Sequence, residues 1–97
     1  MRYEIELAPV AIQDLKRLNA SHQAKVKAAM ETHLRHEPTK SSKSRIKRLR
    51  GLSRPQYRLR IDDLRVFYDV SKGCVEVLAI VAKADVGAWL SKVGEKS

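Results

Sequence analysis

The stretch Tyr57 to Tyr68, YRLRIDDLRVFY, alternates apolar and polar residues on both sides of an Asp-Asp pair. Period two is that of a strand with one face buried, and two such runs around two turn-forming residues predict a β-hairpin. A two-residue turn at Asp62-Asp63 pairs Ile61 with Leu64, Arg60 with Arg65, Leu59 with Val66, Arg58 with Phe67 and Tyr57 with Tyr68. One face then carries Tyr57, Leu59, Ile61, Leu64, Val66 and Tyr68 and is expected in the core. The other carries Arg58, Arg60, Arg65 and Phe67. Like charges directly opposed across a sheet cost ~0.2–1 kcal/mol, so a purely structural surface would place Glu or Thr there instead. Fixed guanidinium groups suit a phosphodiester, because they bind non-bridging oxygens and stabilise the added charge of a phosphorane-like transition state without metal. Phe67, with Tyr57 or Tyr68, is near enough to stack on a base. No His lies in this part of the chain. The carboxylates Asp62, Asp63, Asp69, Glu76 and Asp85 have no distinctive spacing, so no general base is evident.

Outward from the hairpin, RYEIEL alternates Tyr3, Ile5 and Leu7 with Arg2, Glu4 and Glu6, a strand over about residues 2 to 7. Pro9 fits the first turn of a helix, followed by apolar Ala11, Ile12, Leu15 and Leu18. Ser21 is the expected N-cap of a second helix running to about His36, with Val26, Met30 and Leu34 four apart. The short connection folds the two helices into a hairpin. His22, His33 and His36 lie on the second helix and are read as solvated, with no metal site. Residues 37–44, EPTKSSKS, read as a mobile loop with nothing apolar to bury. RIKRLRGL predicts a short edge strand through Ile46, left by a turn at Gly51, Ser53 and Pro55. QYRLRI, LRVFYDV and CVEVLAIVA are three further strands. The order β-α-α-β-β-β-β is an α+β arrangement, an antiparallel meander with both helices on one sheet face. The last residues, ADVGAWLSKVGEKS, form a short C-terminal helix or a tail.

At 97 residues, 43% hydrophobic and 32% charged, the chain has the make-up of one folded domain spanning 1–97, and not of a disordered tail. The single cysteine, Cys74, cannot form an internal bridge and is read as packing. No apolar run reaches the ~20 residues of a membrane span, and no leader pattern opens the chain. A cytoplasmic protein with no membrane association is expected. The formal charge is +9, and from Lys40 to Arg60 nine basic residues occur with no acidic one. Six of those nine are Arg, the side chain that meets phosphate bidentately, which points to RNA or another polyanion. The candidate contacts are Lys43, Arg45, Lys47, Arg48, Arg50, Arg54 and Phe67.

LAPVAIQDLKRL, then RLRG, then YRLRIDDLRVFYDV and a final VEVLAIVAK resemble in order the RelE/ParE superfamily of toxins from type II toxin-antitoxin systems. The resemblance covers roughly residues 3 to 86. It implies a ribosome-dependent mRNA endonuclease of the RelE branch that needs no cofactor, is restrained by a cognate antitoxin and works on mRNA in the decoding site of the 30S subunit. By position it implies catalytic roles for Arg58, Arg60 and Arg65, with Lys83 standing where the family carries a further Arg. The Tyr that often follows in the family has no counterpart in IVAKADVGAWL. The run from Lys40 to Arg54 would contact ribosomal RNA. The ParE branch, whose members generally lack the nuclease residues and act on DNA gyrase, is the alternative.

Overall fold

The computed structural model describes residues 1–96; Ser97, the last residue of the expected domain, lies outside the described residues. Strand Glu4–Leu7 (β1) leads into helices Pro9–Arg17 (α1) and Ala20–Leu34 (α2). Strands Ile46–Arg48 (β2), Leu52–Arg54 (β3), Tyr57–Ile61 (β4), Leu64–Ser71 (β5) and Cys74–Ala82 (β6) follow. A 3-10 turn at Lys83–Asp85, helix Val86–Val93 (α3) and strand Glu95–Lys96 (β7) complete the described chain. The α+β class and the element order agree with the sequence, and the main sheet runs β1-β6-β5-β4-β2. Its meander is antiparallel, but β1 lies parallel to β6 at the edge, which makes the sheet mixed. The expected turn at Gly51, Ser53 and Pro55 contains an additional strand: β3 pairs with β7 in a two-stranded ribbon, a partner that only the C-terminal end of the chain can supply.

The helices pack as their apolar spacing dictates, with local corrections. In α1, Pro9 sits at the first turn, where no N-H is needed, and Ala11 is fully buried with Leu15 and Leu18 packed beside it. Ile12 is 40% exposed: the stripe at i, i+4 and i+7 turns it outward. The N-cap of α2 is Asn19 and not Ser21, because Asn19 Oδ1 accepts the backbone N-H of His22 at 2.8 Å. Asn19→Ala is expected to lower stability by about 1 kcal/mol in urea unfolding, whereas Ser21→Ala should change it little. The helix ends at Leu34, short of His36, and Arg35 ties that end to β1: its Nη1 donates to Tyr3 O at 3.0 Å, and Tyr3 N donates to Arg35 O at 2.7 Å.

The loop after α2 does have an apolar residue to bury. Pro38 is fully buried and its carbonyl accepts the Tyr68 hydroxyl at 2.6 Å, while Ser42 N donates to Ile46 O at 2.8 Å. These contacts anchor a segment that composition alone marks as mobile. They also give the buried Tyr68 hydroxyl the partner it requires.

Apolar side chains gather on both faces of the sheet. Leu59, Val66, Tyr68, Val75, Val77 and Ile80 meet α1 and α2 on one face. On the other, Phe67, Ala79 and Val81 are covered by Val86, Trp89 and Leu90 of α3, with Leu49 beside them. Placing α3 opposite α1 and α2 leaves only part of the second face open.

Candidate nucleic-acid interface

The β4–β5 hairpin has the register expected from its alternation, including Arg60 opposite Arg65 and Arg58 opposite Phe67. The turn closes because Asp62 adopts φ 50°, a left-handed conformation that Asp tolerates better than most residues. Its carboxylate is held by Lys25 of α2 at 3.0 Å, which keeps the Asp62 pKa below the ordinary value, chiefly through that hydrogen bond. One acid of the pair is thereby turned toward the helical layer, away from the arginines.

On the opposite face the cations form two rows. β2 places Lys47 opposite Arg58, so one row reads Lys47, Arg58, Phe67 and Ala79. Arg60 N donates to Arg45 O at 2.9 Å, so the next row reads Arg45, Arg60, Arg65 and Val81. Each row starts cationic at the β2 edge and turns apolar where α3 docks. Arg60 is exposed and Arg58 half-buried, while Arg65 is only 7% exposed. Arg65 Nη1 donates to the carbonyls of Asp62 at 2.8 Å and Leu64 at 2.9 Å, which fixes its guanidinium against the turn. Burial, and then the charges of Arg65 and Arg60, pull the Arg58 pKa below its ordinary value. Among the described residues no carboxylate pairs with Arg58, Arg60 or Arg65. Three cations held together without a counter-charge are a standing cost that a bound anion would remove.

The remaining residues singled out in the sequence divide. Lys43, Arg45, Lys47, Arg48 and Arg50 are exposed along or beside the β2 edge. Arg54 is not available in the same way, because Asp69 at 2.9 Å and Glu76 at 2.9 Å neutralise it. Those carboxylates lie on β5 and β6, beyond the reach of a local count of charge. Lys83 is exposed, and its backbone N-H donates to Asp63 O at 2.8 Å, which places it at the hairpin tip. Phe67 is fully buried, stacked on Trp89 with ring centroids 4.6 Å apart, so packing and not base contact is its role in this conformation. Tyr68 is buried too, its phenol pKa pushed up by burial and by Tyr57. Tyr57, half-buried, is the hairpin aromatic that retains access. Trp89 lies in ADVGAWLSKVGEKS, read from sequence as a short helix or a tail, and nothing local to that stretch shows that it covers Phe67.

His33 is half-buried and His22 and His36 are exposed, all on or just after α2. Cys74 is half-buried on β6, its pKa raised by burial and by nearby Glu6, so the thiol form is favoured there. Among the described residues no helix is long and apolar enough to cross a membrane.

Comparison with known proteins adds to this geometry. Residues 5–86 match the model of a family described as ParE toxin of type II toxin-antitoxin system, parDE. Among solved structures, a RelE-RelB complex from the archaeon Pyrococcus horikoshii is similar at TM-score 0.70 and 23% identity, covering 86% of this chain and 97% of that one. A RelB-RelE antitoxin-toxin complex from Methanococcus jannaschii gives TM-score 0.67 and 17% identity over 87% of this chain and 96% of that one. The DinJ-YafQ toxin-antitoxin complex of E. coli gives TM-score 0.67 and 16% identity over 89% and 98%. At such identities the likeness is one of fold. Curated proteins give no match.

Proposed function

Because the chain belongs to the ParE toxin family of type II toxin-antitoxin systems, we propose that it is a toxin acting as a RelE-like, ribosome-dependent mRNA endonuclease. The observation that carries this is the set Arg58, Arg60 and Arg65 on one sheet face, with no carboxylate paired to them among the described residues. A phosphodiester supplies the missing anion, and a pentacoordinate transition state supplies more charge than the ground state, so the cluster favours reaction over binding alone. In the proposed step the ribose 2′-OH attacks the adjacent phosphorus, and its proton passes to solvent. Arg58 and Arg60 hold the non-bridging oxygens, while Arg65, fixed by the turn carbonyls, needs no reorganisation as charge develops. The P–O5′ bond breaks, and Lys83 at the hairpin tip protonates the leaving oxygen. The products are a 2′,3′-cyclic phosphate and a 5′-OH.

The expected result is cleavage of translated mRNA on isolated ribosomes and none of the same RNA alone; intact mRNA in both reactions overturns the proposal. Lys43, Arg45, Lys47 and Arg50 would contact RNA backbone without sequence preference. If Arg60 meets a phosphate, Arg60→Ala should make the log-log salt dependence of RNA binding shallower by roughly 0.7–0.9. Anisotropy titrations that give wild type and variant the same slope would remove Arg60 from the interface.

A cognate antitoxin is the proposed partner, since the similar structures above are toxin-antitoxin complexes. Exposed Val10, Ile12 and Val93 offer it apolar contacts on a chain of formal charge +9, which fits an acidic chain with an amphipathic helix. Action on ribosomes implies the cytoplasm. A second reading, a non-enzymatic DNA gyrase inhibitor, is favoured by the ParE identity of the matched family and by α3 covering Phe67. Gyrase-dependent DNA breaks with mRNA left intact would establish it.

A further inference from the structure

On the core face of the sheet, at the end away from the hairpin turn, Tyr68, Tyr57 and Arg48 occupy neighbouring strands β5, β4 and β2. The two rings stack with centroids 5.5 Å apart at 15°, and Arg48 Cζ lies 5.2 Å from the centroid of Tyr57. The stack is anchored at both ends. At its base the Tyr68 hydroxyl is held by Pro38 O at 2.6 Å, and at its outer end Arg48 Nη1 donates to Gln56 O at 2.8 Å. Because β2 is the edge strand, no strand covers Arg48 on its outer side, and the side chain is exposed. Among the described residues no carboxylate pairs with it.

We propose that this Tyr68-Tyr57-Arg48 stack presents the guanidinium plane of Arg48 as a seat for an unpaired nucleobase of RNA. A guanidinium held over a ring and hydrogen-bonded to a carbonyl has lost part of its freedom before a base stacks on it. Unstacked bases settle on such planes as they do on aromatic rings. Lys47, next along β2, points to the opposite face beside Arg58, so a strand crossing this edge would put phosphate on one side and base on the other. The platform was not evident in the sequence, where Arg48 counts only as one more basic residue. It extends the RNA-binding reading given above to a second contact and rests on that reading.

The test compares a short single-stranded RNA with a ribose-phosphate strand of the same length lacking bases, each bound to wild type, Arg48→Lys and Tyr57→Leu. Wild type is expected to prefer the RNA by about tenfold, the scale of one stacked base. Arg48→Lys keeps the charge and loses the plane, so its affinity for the abasic strand should be unchanged while the preference collapses. Tyr57→Leu removes the support and should also lose it. Equal wild-type binding to both strands, or an undiminished preference in Arg48→Lys, overturns the platform alone. Wild type that binds neither strand overturns the RNA reading and the platform together.

Discussion

Arg58→Ala is expected to lower ribosome-dependent mRNA cleavage by about 10²–10³-fold, the usual cost of deleting one preorganised donor at a site of developing charge. Arg58 is the strongest choice because it sits between Lys47 and Phe67, half out of water, where a charge interacts more strongly with a bound anion. The same position makes the effect on folding run the other way. Its guanidinium is disfavoured by burial and by Arg65 and Arg60, so removing it relieves repulsion in the free protein. Thermal unfolding should therefore show a melting temperature that is unchanged or raised, alongside the loss of cleavage. A variant that cleaves within a few-fold of wild type, or one that fails because it unfolds, would remove Arg58 from the proposed role.

Phe67→Ala is expected to destabilise the protein by about 3–5 kcal/mol, a large share of the ~5–15 kcal/mol that holds typical proteins folded. The ring is fully buried between β4, β6 and α3, and its removal takes away the surface on which Trp89 stacks. As Trp89 is the chain's one tryptophan, its fluorescence reports directly on α3. Urea unfolding should show a lowered midpoint, with emission shifted toward that of a solvated indole before the main transition. A loss below about 1 kcal/mol would mean that α3 contributes little to the fold.

The hairpin was legible because every determinant of its register is local: alternation on both strands, broken at Phe67, and two turn formers between them. The grouping of Arg58, Arg60 and Arg65 follows from that register alone, while the extension of the rows to Arg45 and Lys47 needs the pairing of β2 with β4. What escaped the sequence depended on residues far apart in the chain. Arg54 counts as a free cation until Asp69 and Glu76 are brought beside it. Phe67 stands on the arginine side by parity, yet only the docking of Trp89 shows that it is covered. Residues 37–44 read as a mobile loop because nothing in the sequence says that Pro38 is buried and that Tyr68 reaches its carbonyl. The N-cap of α2 failed for a finer reason, since Asn19 and Ser21 both have the chemistry and only the backbone path decides between them.

The parallel pairing of β1 with β6 has a consequence for how the protein is made. Glu4 lies opposite Cys74, so β1 gains a strand beside it only once β6 has been made. β6 also supports β5, which carries Arg65, and the floor under α3. A partly synthesised chain can close the β4–β5 turn but cannot hold its arginines on a finished sheet, and such long-range pairing is slow to form. Assembly of the cationic face is thus deferred until β6 has been made, and a nascent chain that stops short of it carries the sequence of the site without its geometry.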